Sequence, residues 1–354
     1  MHEYALFEVL RAGQVESKHV VSFAVVDAAG RLLGSWGDPG LVTFLRSSAK
    51  PFQAIPFVES GAAEHFGFEA RDLALVCASH TGTNRHVDLA RQLLVKIDEP
   101  ESALQCGIHV PYDEDAYERL LRAGEPLGPV RNNCSGKHAG MLGLAKYLGG
   151  DLDSYLSPDH HVQQRILQAI SEMSAMPIDS IIVGVDGCSA PTFAMPLHKS
   201  AGAYARLVRP DGFEDARRRA CESIVGAMRR YPELVAGPGK FDTQFMQAVG
   251  GRMVSKSGAE GFQSIGIPEG ALAEGSPAMG IAIKVHDGDD KSHRAAALTA
   301  VELVGRLGGF REGERAALAN YDARPVRNLS GITIGEIRIN PQFDRDFNVN
   351  YEWI

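Results

Sequence analysis

The sequence predicts an α+β protein whose mixed or antiparallel sheet is built from both ends of the chain around a helical middle. Three observations carry this. The first 45 residues are rich in β-branched and aromatic runs, and "HVVSFAVVDAAGRLLGSWG" places two such runs around a Gly-containing turn, a hairpin signal. The middle of the chain repeats apolar residues at helical spacing. After residue 250 short apolar runs return in "GRMVSKSG", "GFQSIGIP" and "AMGIAIKVHDG".

The elements follow in order. "LVTFL" reads as a third strand and runs straight into Arg46. "PFQAIPFVESG" then reads as a helix that stops at Gly61. "DLALVCASH" is an apolar run that breaks at "TGTN", and a helical pattern follows from about Arg85 to Ile97. Ser135 to Leu148 is helical and stops at Gly149 and Gly150, and 158–176, 200–209, 212–230 and 241–249 fit helices too. "SIIVGVDGCSAP" reads as a short buried strand ending in a Gly-Cys turn. A helix at about 291–307 precedes a last strand, "GITIGEIRIN". No Pro/Gly/Ser-rich linker marks a boundary, so the expectation is one domain over 1–354, with a helical subdomain at about 150–250.

Composition narrows the function. The 354 residues are 44% hydrophobic and 23% charged, ordinary for a globular chain with a sizeable core. A net charge of -8 argues against a nucleic-acid partner. The basic runs Arg217, Arg218, Arg219 and Arg229, Arg230 sit among acidic residues and read as solvated helix faces. "MHEYALFEVLRAG" has no basic segment followed by an apolar one, so no signal peptide is expected. No apolar run approaches the length of a membrane span. Five scattered cysteines argue against a disulfide framework and for a reducing, cytoplasmic setting.

Five stretches carry candidate chemistry. In "FLRSSAKPFQ", Ser47 and Lys50 share one face of a helix start. A serine hydroxyl needs a base, and a lysine serves as one when burial or nearby positive charge lowers its pKa; Arg46 is one such charge. The same spacing also suits a helix cap from Ser47 or Ser48. "VSKSGAEG" places Lys256, Ser257 and Gly258 at the end of a strand-like run, and a Lys-Ser-Gly strand with a Ser-x-x-Lys helix is the pairing of serine β-lactamases. "CASHTGTN" ends an apolar run in Ser79 and His80, and reads equally as an ordinary turn. "RNNCSGKHAGML" sets Cys134 and Lys137 one turn apart at a helix start, with His138 beside them. "VDGCSAPTFAMP" puts Asp186 and Cys188 in a loop after a strand. Two loop thiols with a further ligand would suit zinc, although the spacing is no zinc-finger pattern; two ordinary reduced thiols are the alternative.

Taken together, "RSSAKPFQ", "CASHTG", "NNCSGKHAGML", "GVDGCSAPTFAMP" and "VSKSGAEG", in this order, closely resemble the Rhizobium etli-type L-asparaginases, the asparaginase II group. The resemblance runs from about residue 5 to the C-terminus. It implies a fold similar to serine β-lactamases and serine-dependent glutaminases, a homodimer, and hydrolysis of L-asparagine to L-aspartate and ammonia. It implies two Ser-Lys tandems, Ser47 with Lys50 and Ser79 with Lys256, and one zinc ion on Cys134, Lys137 and Cys188. Amide hydrolysis then assigns Ser47 as nucleophile and Lys50 as its base, with Ser79 and Lys256 relaying protons. Arg46 would bind the substrate carboxylate and Asp186 its ammonium, with His80 and His138 as polar liners. A glutaminase or other serine amidohydrolase of the same fold stays open, as does a non-catalytic amino-acid- or zinc-binding protein.

Overall fold

The computed structural model describes residues 4–288 and 295–347. Its elements begin with β1 (Ala5–Arg11), β2 (Gln14–Asp27), β3 (Leu32–Trp36), β4 (Val42–Phe44), α1 (Lys50–Glu59), α2 (Ala62–His65), α3 (Ala70–Val76), α4 (Asn84–Lys96) and α5 (Glu114–Ala123). Next come α6 (Ser135–Tyr147), α7 (His161–Ser174), β5 (Ile182–Val185), β6 (Pro191–Pro196), α8 (Leu197–Val208), α9 (Asp215–Arg230), α10 (Pro232–Val235) and α11 (Phe241–Ala248). The last are β7 (Val254–Gly258), β8 (Phe262–Ile267), β9 (Met279–Val285), α12 (Ala295–Arg306), β10 (Arg324–Arg327), β11 (Thr333–Ile339) and α13 (Pro341–Asp346).

The chain divides into two compact units. The strand-rich unit takes the residues up to Leu45, Met195–Arg209, and those from Ala248 onward. The helix-rich unit takes Arg46–Ala194 and Pro210–Gln247. It therefore starts well before the helical segment expected at about 150–250.

In the strand-rich unit the strand order is β10-β11-β1-β2-β9-β8-β7, with β3 also paired to β2. Every one of these pairings is antiparallel. The N-terminal hairpin β1–β2 thus lies between C-terminal strands, so the sheet closes only when both ends of the chain are present. β8 is buried at every position, as a strand covered on both faces must be. The register pairs Gly266 with Gly280. On that face α8 approaches so closely that a Cβ at Gly280 would lie 1.9 Å from the Ala201 carbonyl oxygen. Ala201 and Ala205 on α8 leave room for this approach, and α12 also packs against β8 and β9. Phe343 of α13 stacks edge-on against Trp36 at 5.0 Å and Phe23 at 6.2 Å.

In the helix-rich unit α6 is the central element. All residues from Ser135 to Ala145 are buried, and α1, α2, α3, α4 and α7 pack around it. A helix enclosed on all sides has no polar face to give to water, and "SGKHAGMLGLA" meets this with small and apolar residues and a first turn whose polar groups find protein partners. A Cβ at Gly136 would lie 2.2 Å from the Leu75 carbonyl oxygen, so the backbones of α3 and α6 touch there. That contact draws the start of α6 into the interior.

Several sequence expectations change. "SIIVGVDG" forms β5, yet Ile182, Val183 and Val185 are exposed, because β5 pairs with β6 on one side and is an edge strand on the other. The apolar run at "DLALVC", given no element from sequence, is mostly helix α3, fixed by a reciprocal cap between Glu69 and Asp72. Arg217 is not a solvated residue: it is buried and ion-paired to Glu59 at 2.5 Å and Glu172 at 2.7 Å. Arg219 is exposed as expected. The last helix-to-strand segment holds, with 291–294 of the expected 291–307 helix outside the described residues. Among the described residues, no helix is long and apolar enough to cross a membrane.

Candidate active site

The helix-rich unit opens with a tight turn, Arg46–Ala49, that leads into α1. Arg46 adopts φ 50°, the left-handed region that disfavours a side chain by about 1 kcal/mol. An ion pair holds it there: Nε and Nη2 lie 2.9 and 2.8 Å from Asp186 Oδ1. The same oxygen accepts the Gly187 N–H at 2.7 Å. The two residues assigned from sequence to opposite ends of an amino-acid substrate are therefore direct neighbours.

Ala49, not a serine, occupies the N-cap of α1, and no side chain caps it. Ser48 is buried and Ser47 half-buried. Lys50 is 1% exposed, and its Nζ donates to Ala78 O at 2.5 Å, Ser79 Oγ at 2.8 Å and Asn133 O at 3.5 Å. The lysine of one expected tandem thus binds the serine of the other. Ser79 is held by its own N–H, which donates to Val235 O at 2.8 Å.

His80 is fully buried. The Gly82 N–H donates to its Nδ1 at 3.1 Å, so Nε2 carries the proton and donates to Ser135 Oγ at 2.9 Å. Burial, with the nearby His86 and Lys50, pushes its pKa well down and keeps it neutral. His138 is also fully buried, 2.6 Å from the Tyr155 hydroxyl through Nδ1. Burial lowers its pKa to about 4. His80 is held at both ring nitrogens, and His138 at Nδ1.

Cys134 stands at the N-cap of α6, Lys137 and His138 on its first turn, and Cys188 in the turn after β5. Lys137 Nζ donates to Cys188 Sγ at 3.0 Å. A hydrogen bond from Cys134, with Lys137 and His138 adding to it, drives the Cys188 pKa far down against the effect of burial. The same bond, together with burial, drives Cys134 up, so Cys188 is the thiolate and Cys134 the thiol. Burial opposes the charge on Lys137, but the sulfurs of Cys134 and Cys188 outweigh it and raise its pKa. Cys106 behaves as a plain buried thiol, raised to about 12 by burial. All five cysteines are buried, and none forms a disulfide among the described residues.

Two sulfurs and an amine converging in the interior suit a borderline-soft dication such as zinc. Among the described residues no group of three His, Cys, Asp or Glu side chains is placed to hold a metal, so the set depends on Lys137. An incoming metal would have to displace the protons of Lys137 and Cys134.

Lys256 lies on β7 in the strand-rich unit, fully buried, with Nζ donating to Ser257 O at 2.9 Å. Gly258 ends the same strand two residues on. A Cβ there would lie 2.4 Å from Leu45 O, so the glycine makes room for backbone.

Two residues of these clusters carry no sequence signal. His109 accepts the Asn133 N–H at 3.0 Å through Nε2, and the Asn133 carbonyl in turn receives Lys50 and the His80 N–H. Tyr155 binds His138 from a loop outside every motif. Neither shows a spacing or composition that marks it.

The profile of the family described as L-asparaginase II matches residues 7–339. Among solved structures, the chain is similar to Mglu, at 15% identity and a TM-score of 0.44, covering 82% of this chain and 67% of that one. It is also similar to a probable glutaminase from Bacillus subtilis complexed with 6-diazo-5-oxo-L-norleucine, at 13% identity and a TM-score of 0.37, covering 87% and 86%. The chain spans about two thirds of the Mglu chains, 67% of one and 64% of another. No curated protein matches it in sequence. With nearly its whole length matched, the chain belongs to the L-asparaginase II family.

Proposed function

We propose that the chain hydrolyses the side-chain amide of L-asparagine to L-aspartate and ammonia through an acyl-enzyme on Ser47. The observation that carries this reading is the hydrogen bond from buried Lys50 to Ser79 Oγ at 2.8 Å, at the start of the helix that Ser47 precedes. Amide hydrolysis needs a nucleophile, a base, and a route that delivers a proton to the leaving nitrogen. Ser47 Oγ attacks the amide carbon and loses its proton to Lys50. Lys50 and Ser79 pass that proton to the leaving nitrogen, and ammonia departs. Water then attacks the ester and returns the proton to Ser47. Lys256 is the fourth member of this set by sequence resemblance.

Arg46 and Asp186 read the amino-acid head. Their mutual pairing uses Nε, Nη2 and Oδ1, which leaves Nη1 for a carboxylate and Oδ2 for an ammonium. His80 and His138 hold walls of the site. Cys134, Lys137 and Cys188 would hold the proposed zinc, which would supply a fixed positive charge beside the site. The proposed assembly is a homodimer.

One methylene separates asparagine from glutamine, and a pocket distinguishes that by about 1–3 kcal/mol. Ammonia release measured side by side should give a kcat/KM for L-asparagine that exceeds the L-glutamine value by about tenfold or more. A glutamine preference would reassign the substrate. Metal analysis of freshly purified protein should find zinc, lost in Cys134→Ser and in Cys188→Ser; equal metal content in all three would remove the assignment.

A further inference from the structure

We infer that Tyr155 is a positioning residue that holds the His138 ring, next to Lys137 on the first turn of α6, with its proton on Nε2. Tyr155 is fully buried, and its phenol oxygen accepts the Gln105 N–H at 3.0 Å. The only other polar group bonded to that oxygen among the described residues is His138 Nδ1, at 2.6 Å. A buried hydroxyl with a single acceptor uses it. The phenol therefore donates to Nδ1, Nδ1 bears no hydrogen, and the neutral ring carries its proton on Nε2.

Nε2 itself is buried and has no fully formed hydrogen bond among the described residues. The neighbouring Lys137 Nζ donates to Cys188 Sγ at 3.0 Å. The opposite tautomer would leave the phenol hydrogen without an acceptor. The rings meet edge-on, with centroids 5.7 Å apart and planes at 88°, so Tyr155 fixes the direction of the imidazole as well as its tautomer. Lys137 and His138 are consecutive on α6, so fixing the ring also steadies the turn from which Lys137 reaches the Cys188 sulfur. This is the arrangement that outer groups impose on metal-binding side chains.

The inference rests on the cluster and not on the substrate proposed above. A long-range proton–nitrogen spectrum of metal-free, histidine-labelled protein near neutral pH tests it, with His138 assigned by its loss in His138→Gln. The expected spectrum shows a protonated Nε2 and a bare Nδ1 for His138. A protonated Nδ1 overturns the inference, and this reading needs only wild-type protein. In Tyr155→Phe, which keeps the ring volume, the His138 signals should move toward a mixture of tautomers. Competition for zinc against a chromophoric chelator should weaken by about 10–100-fold in that variant. A Tyr155→Phe protein with unchanged nitrogen shifts and an unchanged competition curve would also overturn it.

Discussion

Helix α8 of the strand-rich unit and helix α6 of the helix-rich unit solve the same packing problem and put it to different use. Each meets a neighbouring backbone at a glycine, Gly280 opposite Ala201 and Gly136 opposite Leu75. Against α8 the result is an apolar layer: Ala201, Ala203, Tyr204, Ala205 and Leu207 are buried beside strands of aliphatic residues. Against α6 the same closeness buries charge and polarity, with Ser135, Lys137 and His138 enclosed and Cys134 just ahead of them. Close packing alone therefore does not make a site. What differs is that Ser135, Lys137 and His138 find polar partners on other segments, His80, Cys188 and Tyr155, when water is removed, which is the condition for burying them.

The largest effect should fall on Ser47. Ser47→Ala should cut ammonia release by about 10³-fold or more while circular dichroism stays native. Ser48→Ala, one residue on, should leave turnover near wild type, because Ser48 is buried in the turn. Equal losses in the two variants would erase the distinction between them.

The glycine contacts come next. Gly136→Val and Gly280→Val should each destabilise by more than about 3 kcal/mol, since the obstacle is a backbone carbonyl that cannot rotate away. Unfolding by urea measures this. The milder Gly136→Ala should lower the turnover of the remaining folded protein, whereas Gly280→Ala should lower only the folded fraction. Matching kinetic losses would mean that the two helices do not differ as argued.

The smallest effect is the pH dependence of stability. His138 titrates near 4 in the fold because it is buried, and near 6.5 when unfolded. Between these values the unfolded chain binds the proton and the native chain does not, so stability falls as pH drops. His80, lowered for the same reason, acts in the same direction. From pH 7 to pH 5 His138 should contribute a loss of about 2 kcal/mol. The drop in the urea midpoint should be smaller in His138→Gln. An equal drop in wild type and variant would remove His138 as the source.

The sequence was most legible where local pattern and final environment agree. Short apolar and β-branched runs located β2, β8 and β9, and helical spacing located α4, α6 and α7 within a few residues. It failed where environment overrode pattern. "IIVGV" is apolar enough for a core strand, yet its place at an edge leaves it exposed. Arg217 sits in a basic run that reads as solvent-facing, yet two carboxylates far away in sequence draw it inside. The motif residues were visible because unusual side chains stand together in short stretches. Tyr155 and His109 were not, because nothing local distinguishes a tyrosine or histidine that meets its partner through the fold.

By itself the sequence determined the class of structure, the motif residues and the family, because those depend on periodicity and on residue types read along the chain. Only the tertiary structure decided the pairings: Lys50 with Ser79, Arg46 with Asp186, Lys137 with Cys188, and Tyr155 with His138. Each joins segments that are separate in sequence. A hydrogen bond or ion pair forms over about 3 Å, a distance that chain spacing does not encode and the packing of α6 against its neighbours sets.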